Sequence, residues 1–582
     1  MRLALLLALF GSLEAAIHCD KEYNQIESFY ERGYDITCQG LAGNFTRLLQ
    51  ELDVTNEISL RMENCTLPSA TSQLFRNVRR IKHLHLENST FGYSEEEPVF
   101  RLLDRLEDLR VVNTKFKVTK SALANLRSLK VLTLVNNDLD SVEEGSFADL
   151  AKLVELHVAE NRLVDLNNVP LCELKALTSL NVSRNNIGDL NKVLLCDRNS
   201  NASGYQSSIE LYQIDLSYNK IQDLSTSFAF LKFLRNVNVR GNRLKSLNNS
   251  YFTYLDYLES LRADNNSIKI VENDVFKGKQ FLERLDLSKN QIEYINLKDL
   301  KSVKYLNLAH NKINIATVLT ININNTVEEL FLDRNNIKEI EPNAFIKYHK
   351  LKHLHLFRNK IKLKSLSFNG LINLKKLYIN SNCIKYLPKG VFKDLYNLTL
   401  LDLSQNNLTV LEFNDTFASL RHLEVLNLSK NSLENLRYDL LEPLKDLVVL
   451  DISHNKLHYI EYDVILTNLP LLSSLDIKYN ILSCELLSKI IKYLQTKGVS
   501  YTIQDKIDLD KINVGGIYCT NEKIGNNSVI VTHVPNRSVI FDVTLSLIIV
   551  LILVVLSIVA FRVHIYLKRR KYRADEFELI DE

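Results

Sequence analysis

Leu398-Thr-Leu-Leu401-Asp-Leu403-Ser-Gln-Asn406-Asn-Leu408 sets three apolar residues, an asparagine and a fourth apolar residue at fixed spacing. The same spacing recurs eighteen times, from a start at Glu57 to one at Leu472, with most starts 23 to 25 residues apart. Eighteen copies in register leave one reading for residues 57–483, an array of similar coils stacked in a row.

The pattern is that of a leucine-rich repeat. Leu401 and Leu403, separated by one residue, face the same side of a short strand, while Asp402 faces the other. One coil cannot bury its apolar side alone, so stacked coils form a parallel sheet over a continuous leucine core. The asparagine position is filled from Asn137 to Asn480, and by Cys65, Ser89 and Thr114 in the first three copies. A buried amide carries two donors and an acceptor, and a column of amides can serve the backbone groups stranded where each strand ends. Phe75, Phe147, Phe252, Phe276, Phe345 and Phe392 form a second column, 18 residues after their starts, with Phe228, Phe368 and Phe417 within one residue of it. It predicts an aromatic spine packed behind the leucines rather than a cofactor box. The expected fold class is α/β, a leucine-rich-repeat horseshoe with a parallel concave sheet, disulfide-bonded caps and one C-terminal transmembrane helix.

The flanks divide the rest of the chain. Residues 1–16 read as a secretory signal, with Arg2, the apolar run Leu3–Phe10 and the small residues Ala15 and Ala16. Residues 17–56 are an N-terminal cap held by Cys19–Cys38, and 484–525 a C-terminal cap held by Cys484–Cys519. Leu486, Leu487, Ile490, Ile491 and Leu494 recur at helical spacing inside the second cap. Residues 526–542 form a stalk. Val543–Phe561 is nineteen residues without a charge, about 28 Å of helix and enough for a bilayer core. Arg562 and the cluster Lys568 to Arg573 follow, which sets the tail 562–582 in the cytoplasm and the repeats outside. The expected location is the plasma membrane, as a single-pass type I protein.

Cys172 and Cys196 occupy equivalent positions of consecutive coils, and a coil spacing of about 4.8 Å is compatible with a disulfide. A polar insertion, Asp197 to Gly204, follows them as a loop pinned at its base, either functional or simply tolerated. Cys65 reads as a buried thiol; Cys383 as an exposed one, either free or bridging to another chain. Glycan acceptors are expected at Asn44, Asn64, Asn88, Asn201, Asn248, Asn265, Asn324, Asn397, Asn414, Asn526 and Asn536. Asn181-Val-Ser and Asn427-Leu-Ser also match, but belong to the repeat strand itself. In the tail Asp575, Leu579 and Ile580 resemble an acidic dileucine sorting signal, the other reading being a solvated acidic end.

No nucleophile elbow, phosphate-cradling glycine loop or zinc signature occurs, so neither enzyme nor cofactor is expected. With 72 basic and 69 acidic residues, bulk charge indicates no nucleic-acid partner. His83/His85 and His353/His355 share strand faces, but no third metal ligand follows by spacing. The sheet's outward positions mostly hold Asp, Asn, Ser or Thr, as in Asp286/Ser288, Asp402/Ser404 and Asp451/Ser453. Three consecutive copies depart from this, with Phe331, Asp333 and Arg334, then His353, His355, Phe357 and Arg358, then Lys376 and Tyr378. Phe331, Arg334, His355, Phe357, Arg358 and Tyr378 are the candidate ligand-binding residues, since aromatics and arginines make interface hot spots. The other reading is stacking between coils.

The repeats, cysteine caps, sequons and single span resemble extracellular leucine-rich-repeat receptors, Toll-like ectodomains among them. Asn480-Ile-Leu-Ser-Cys484, Ile512-Asn-Val-Gly-Gly-Ile517-Tyr-Cys519 and Cys65 resemble the mosquito leucine-rich-repeat immune proteins, here in a transmembrane type. That resemblance implies innate defence; the chain lacks the group's heptad region, so pairing through a coiled coil is not carried over. The expectation is a cell-surface receptor or co-receptor that binds a protein or glycan on its concave face and signals through a partner. A homo- or heterodimer with another leucine-rich-repeat protein is the expected assembly. The alternative is a cell–cell adhesion or guidance protein.

Overall fold

The computed structural model describes residues 18–25, 32–39, 57–94, 97–166, 169, 174–190, 210–224, 228, 231–315, 320–504 and 511–520. Eighteen parallel strands, from Glu57–Glu63 to Ser474–Asp476, make one sheet, each paired in register with the strand of the next coil. Strands His18–Gln25 and Arg32–Gln39 form an antiparallel hairpin that extends the sheet at its N-terminal end. Chain returns between strands are mostly turns, with short two-stranded pairings such as Glu339–Ile340 against Lys362–Leu363.

The leucines between the layers are buried completely, Leu401 and Leu403 among them. Behind them the phenylalanine column stacks ring on ring, with centroids 6.3 Å apart for Phe345–Phe368, 6.1 Å for Phe368–Phe392 and 6.5 Å for Phe392–Phe417. Apolar burial of this kind contributes about 25 cal/mol per Å² of surface removed from water.

The asparagine column binds coil to coil. Asn335 Nδ2 donates to the carbonyls of Leu308 (2.9 Å), Leu332 (3.1 Å) and Asp333 (3.3 Å), and its Oδ1 accepts from the Ile313 N–H at 2.9 Å. Asn406 and Asn431 repeat this one and two coils further on from Asn382. In the first repeat Cys65 Sγ lies 3.2 Å from the Glu63 carbonyl and 3.7 Å from that of Cys38.

The residue before each column position is left-handed in every coil. Seventeen are non-glycine, with φ between 49° and 57°, and the eighteenth is Gly241 at 67°. Such a backbone costs an L-residue about 1–2 kcal/mol, and the column amide that follows over-determines it. At Gly241 a Cβ would stand 2.6 Å from the Tyr218 ring, which lies across it from the preceding coil.

Both ends are covered. Cys38 is buried and disulfide-bonded, and the hairpin register sets it opposite Cys19. At the C-terminal end the helix Cys484–Lys497 starts at Ser483, whose Oγ accepts the Leu486 N–H, and stops at left-handed Gly498. It lays Leu487, Ile490, Ile491 and Leu494 on the last coil. Ser500 then pairs beside Ser474, and the disulfide Cys484–Cys519 closes the cap. Among the described residues no helix is long and apolar enough to cross a membrane. The signal, the Cys172–Cys196 pair, its polar loop, Asn44, Asn201, Asn526, Asn536, Val543–Phe561 and the tail lie outside those residues.

Candidate functional site

The sheet's polar lining is not a row of free ligand groups. Asp286 Oδ1 accepts the Ser288 N–H at 3.0 Å, and Asp402 does the same for Ser404 and Asp451 for Ser453. Asn181, Asp215, Asn238, Asn307 and Asn427 repeat the contact. A carboxylate or amide at this position closes a local turn as its strand ends. The outward Asp and Asn therefore serve the backbone first, which corrects the simpler picture of an open polar face.

The aromatic group stands where that turn-closing residue is missing. Phe331, His355 and Tyr378 replace it in three successive coils and stack, with centroids 4.3 Å apart for Phe331–His355 and 4.6 Å for His355–Tyr378. Tyr305 adds its ring 5.0 Å from Phe331, and the Arg284 guanidinium lies 3.7 Å from the Tyr305 centroid. Phe357 meets the edge of His355 at 6.5 Å. The five rings are half-buried, so the stack is at once inter-coil packing and accessible surface. Arg334 and Arg358 do not join it; both are exposed, at the left-handed positions on the edge where the strands end.

Burial, then His353 and Lys376, pushes the His355 imidazole down to about 4, so a neutral ring sits between Phe331 and Tyr378 at pH 7. Burial also lowers His353, with Glu329 3.5 Å away opposing it. The Asp333 carboxyl, 5% exposed, is pushed up to about 6 by burial, against its own N–H, Arg334 and Arg358.

The other histidine pair has a neighbour that spacing did not reveal. Asp108 lies opposite His83 in the sheet, and its Oδ2 is 3.6 Å from His83 Nδ1, 3.5 Å from His85 Nε2 and 3.1 Å from Arg110 Nε. Burial alone would raise this carboxyl, but the neighbouring His83 and His85 rings and the Arg110 guanidinium hold it well below the carboxylate range. Both rings are engaged by one oxygen that Arg110 also holds, and no three-residue metal cluster occurs among the described residues.

Sequence reasoning missed two surfaces. One is a depression of about 300 Å³ in the sheet, lined by Ser179, Asn181, Gln213, Asn236, Asn238 and Arg262. The other is an exposed stack of Phe233, Tyr257 and Phe281, with centroids 6.3 and 5.9 Å apart, each one residue before a repeat start. An aromatic at that place in three successive copies was the available signal. Cys383 is exposed, as are the sequon residues Asn64, Asn88, Asn265, Asn324, Asn397 and Asn414, while Asn248 is half-buried.

The family model described as "Leucine rich repeat" matches residues 127–187, 232–292, 256–313, 362–408, 372–429 and 413–457. Human Toll-like receptor 8 is 31% identical over 137 residues, 19% of this chain and 13% of that protein. Chicken (Gallus gallus) keratocan is 34% identical over 117 residues, 16% of this chain and 33% of that protein. The matched stretches thus span a third or less of these curated relatives. Among solved structures, the Drosophila Toll–Spatzle complex superposes with a TM-score of 0.66 at 18% identity, over 81% of this chain and 66% of that one. A leucine-rich-repeat protein of Leptospira interrogans gives 0.55 at 24% identity, over 75% of this chain and all of that one. The chain carries leucine-rich repeats related to those of Toll-like receptors and of matrix proteins such as keratocan, folded as a solenoid with a parallel sheet.

Proposed function

We propose that this leucine-rich-repeat chain is a non-enzymatic recognition receptor or co-receptor at the cell surface. It engages a protein or glycan on its concave face and passes the signal through a partner chain. The observation that carries this is the half-buried stack Tyr305–Phe331–His355–Tyr378, with Phe357 at its edge, in a sheet otherwise lined by self-bonded Asp and Asn. Rigid rings held in register lose little entropy on binding, which suits them as anchors. Innate immunity is the setting that the repeats' relation to Toll-like receptors favours. An adhesion or guidance role through the same face is the second reading, supported by the relation to keratocan.

The test uses the full chain displayed on cells, probed with arrayed extracellular proteins and glycans, beside the triple variant Phe331→Ala, Phe357→Ala, Tyr378→Ala. Stacked pairs contribute about 0.5–1.5 kcal/mol each, so the triple variant should melt a few degrees lower yet stay folded. Binding should be lost at temperatures where it is folded. Ligands that bind the variant as well as the parent would end the proposal, and self-aggregation of displaying cells would transfer the face to adhesion.

A further inference from the structure

Toward the N-terminus both edges of the sheet pair their cations, the strand-end edge through Arg162 with Asp138 at 2.7 Å and Arg184 with Glu160 at 3.5 Å. Over the coils starting at Leu282 to Leu351 the two edges differ. Where the strands begin, cations are paired across coils, Lys130 with Glu107 at 2.7 Å, Lys304 with Glu283 at 2.7 Å and Lys352 with Glu328 at 2.8 Å. Where they end, Lys289, Lys312, Arg334, Arg358 and Lys360 run over four consecutive coils, and among the described residues none has a carboxylate oxygen within 4.0 Å. Lys289, Arg334 and Arg358 occupy the left-handed positions, so the fold fixes their Cα atoms in a file at the coil spacing of about 4.8 Å. The backbone bonds Lys289 N–H to Ala309, His310 N–H to Asp333 and Arg334 N–H to Phe357 hold that file together. His310, in the same file, reports the accumulated charge: burial first, then Arg334, Lys289 and Arg358 lower its pKa. The whole chain carries a formal net charge of only +3, so this is segregation rather than a basic protein's background.

We propose that this edge, in the coils starting at Leu282, Val303, Val327 and Leu351, is a docking strip for a sulfated polysaccharide lying along the solenoid axis. The site is separate from the concave stack and goes beyond the receptor proposal. Unpaired cations in a regular row attract a linear polyanion by neutralisation and counterion release. The residues interleaved with them, half-buried Gln291 and exposed Asn336, are polar, so the strip has none of the apolar centre that a protein interface needs. Single-stranded nucleic acid would want exposed rings at successive units. The rings of these coils, Tyr305, Phe331, His355 and Phe357, are half-buried and packed on one another, and the exposed Tyr294 has no ring at its matching place in the three coils that follow.

The experiment measures binding of the detergent-solubilised full chain to immobilised heparin from low to high salt, with desulfated heparin, DNA and polyglutamate as competitors. The variant Lys289→Gln, Lys312→Gln, Arg334→Gln, Arg358→Gln, Lys360→Gln keeps a residue that the fold already accepts at a left-handed position, Gln405. It should lose about tenfold or more in affinity at low salt and show a salt slope shallower by about four to five. Lys304→Gln with Lys352→Gln, on the other edge, should change nothing, and Asn336→Lys should tighten binding. No retention on heparin, equal retention of the five-fold variant, or no gain from Asn336→Lys would overturn the assignment. So would competition by DNA or polyglutamate stronger than that of heparin at equal charge.

Discussion

Asn335 and Asn336 are adjacent residues of one type with opposite surroundings, and they isolate what the asparagine column does. Asn335 is 7% exposed; Asn336 is exposed, and among the described residues no side-chain hydrogen bond ties it down. Truncating Asn335 to Ala removes the donor to Leu308, Leu332 and Asp333 and the acceptor of the Ile313 N–H. The two cross-coil groups, the Leu308 carbonyl and the Ile313 N–H, are left without that partner between coils. A stranded buried polar group costs about 1–3 kcal/mol, so with two of them Asn335→Ala should lose about 2–6 kcal/mol. Asn336→Ala should stay within about 0.5 kcal/mol. Urea unfolding followed by circular dichroism gives the totals. Amide hydrogen exchange then locates the loss, which should concentrate at the coils starting at Val303 and Val327, because a solenoid's coils contact only their neighbours. A loss for Asn335→Ala no larger than that for Asn336→Ala, or one spread evenly over the sheet, would refute the column's role.

Two further outcomes are expected. Asp333 has a folded pKa of about 6, above the unfolded 3.8, so its neutral form is the one the fold prefers. Stability should therefore rise as pH falls from about 6 to 4 through this group, and Asp333→Asn should gain about 1–3 kcal/mol at pH 7 and nothing at pH 4. Thermal melts of both proteins across that range decide it, and equal shifts at both pH values would refute it. Non-reduced peptide mapping should recover Cys172 joined to Cys196, and finding either thiol free would remove the pinned loop.

Coil positions were legible because leucine, asparagine and phenylalanine fill sites that tolerate little else. The left-handed residues were not, since Glu160, Arg184, Tyr218, His310, Ser381 and Gln405 share a conformation and no chemistry. The same blindness hid the turns closed by Asp and Asn, because strand alternation says which way a side chain starts and not what it reaches. Phe331, His355 and Tyr378 could be grouped from the sequence, whereas Tyr305 could not. It faces Glu329 in the register, two strand positions before Phe331's level, and joins the stack only because its ring leans across. The row of unpaired cations escaped a composition count for a related reason: it appears only once the paired cations on the other edge are set aside.

Each column amide reaches back to the coil before it, as Asn335 does to Leu308 and Asn359 to Leu332 24 residues later. Because every link points the same way, a segment excised between matching points of two coils, and the ends rejoined, re-creates each bond with a new but equivalent neighbour. Duplication or loss of whole units during evolution is thus nearly neutral for the scaffold. It slides the aromatic row and the cationic edge toward or away from either terminus, so reach can be adjusted without redesigning what does the gripping.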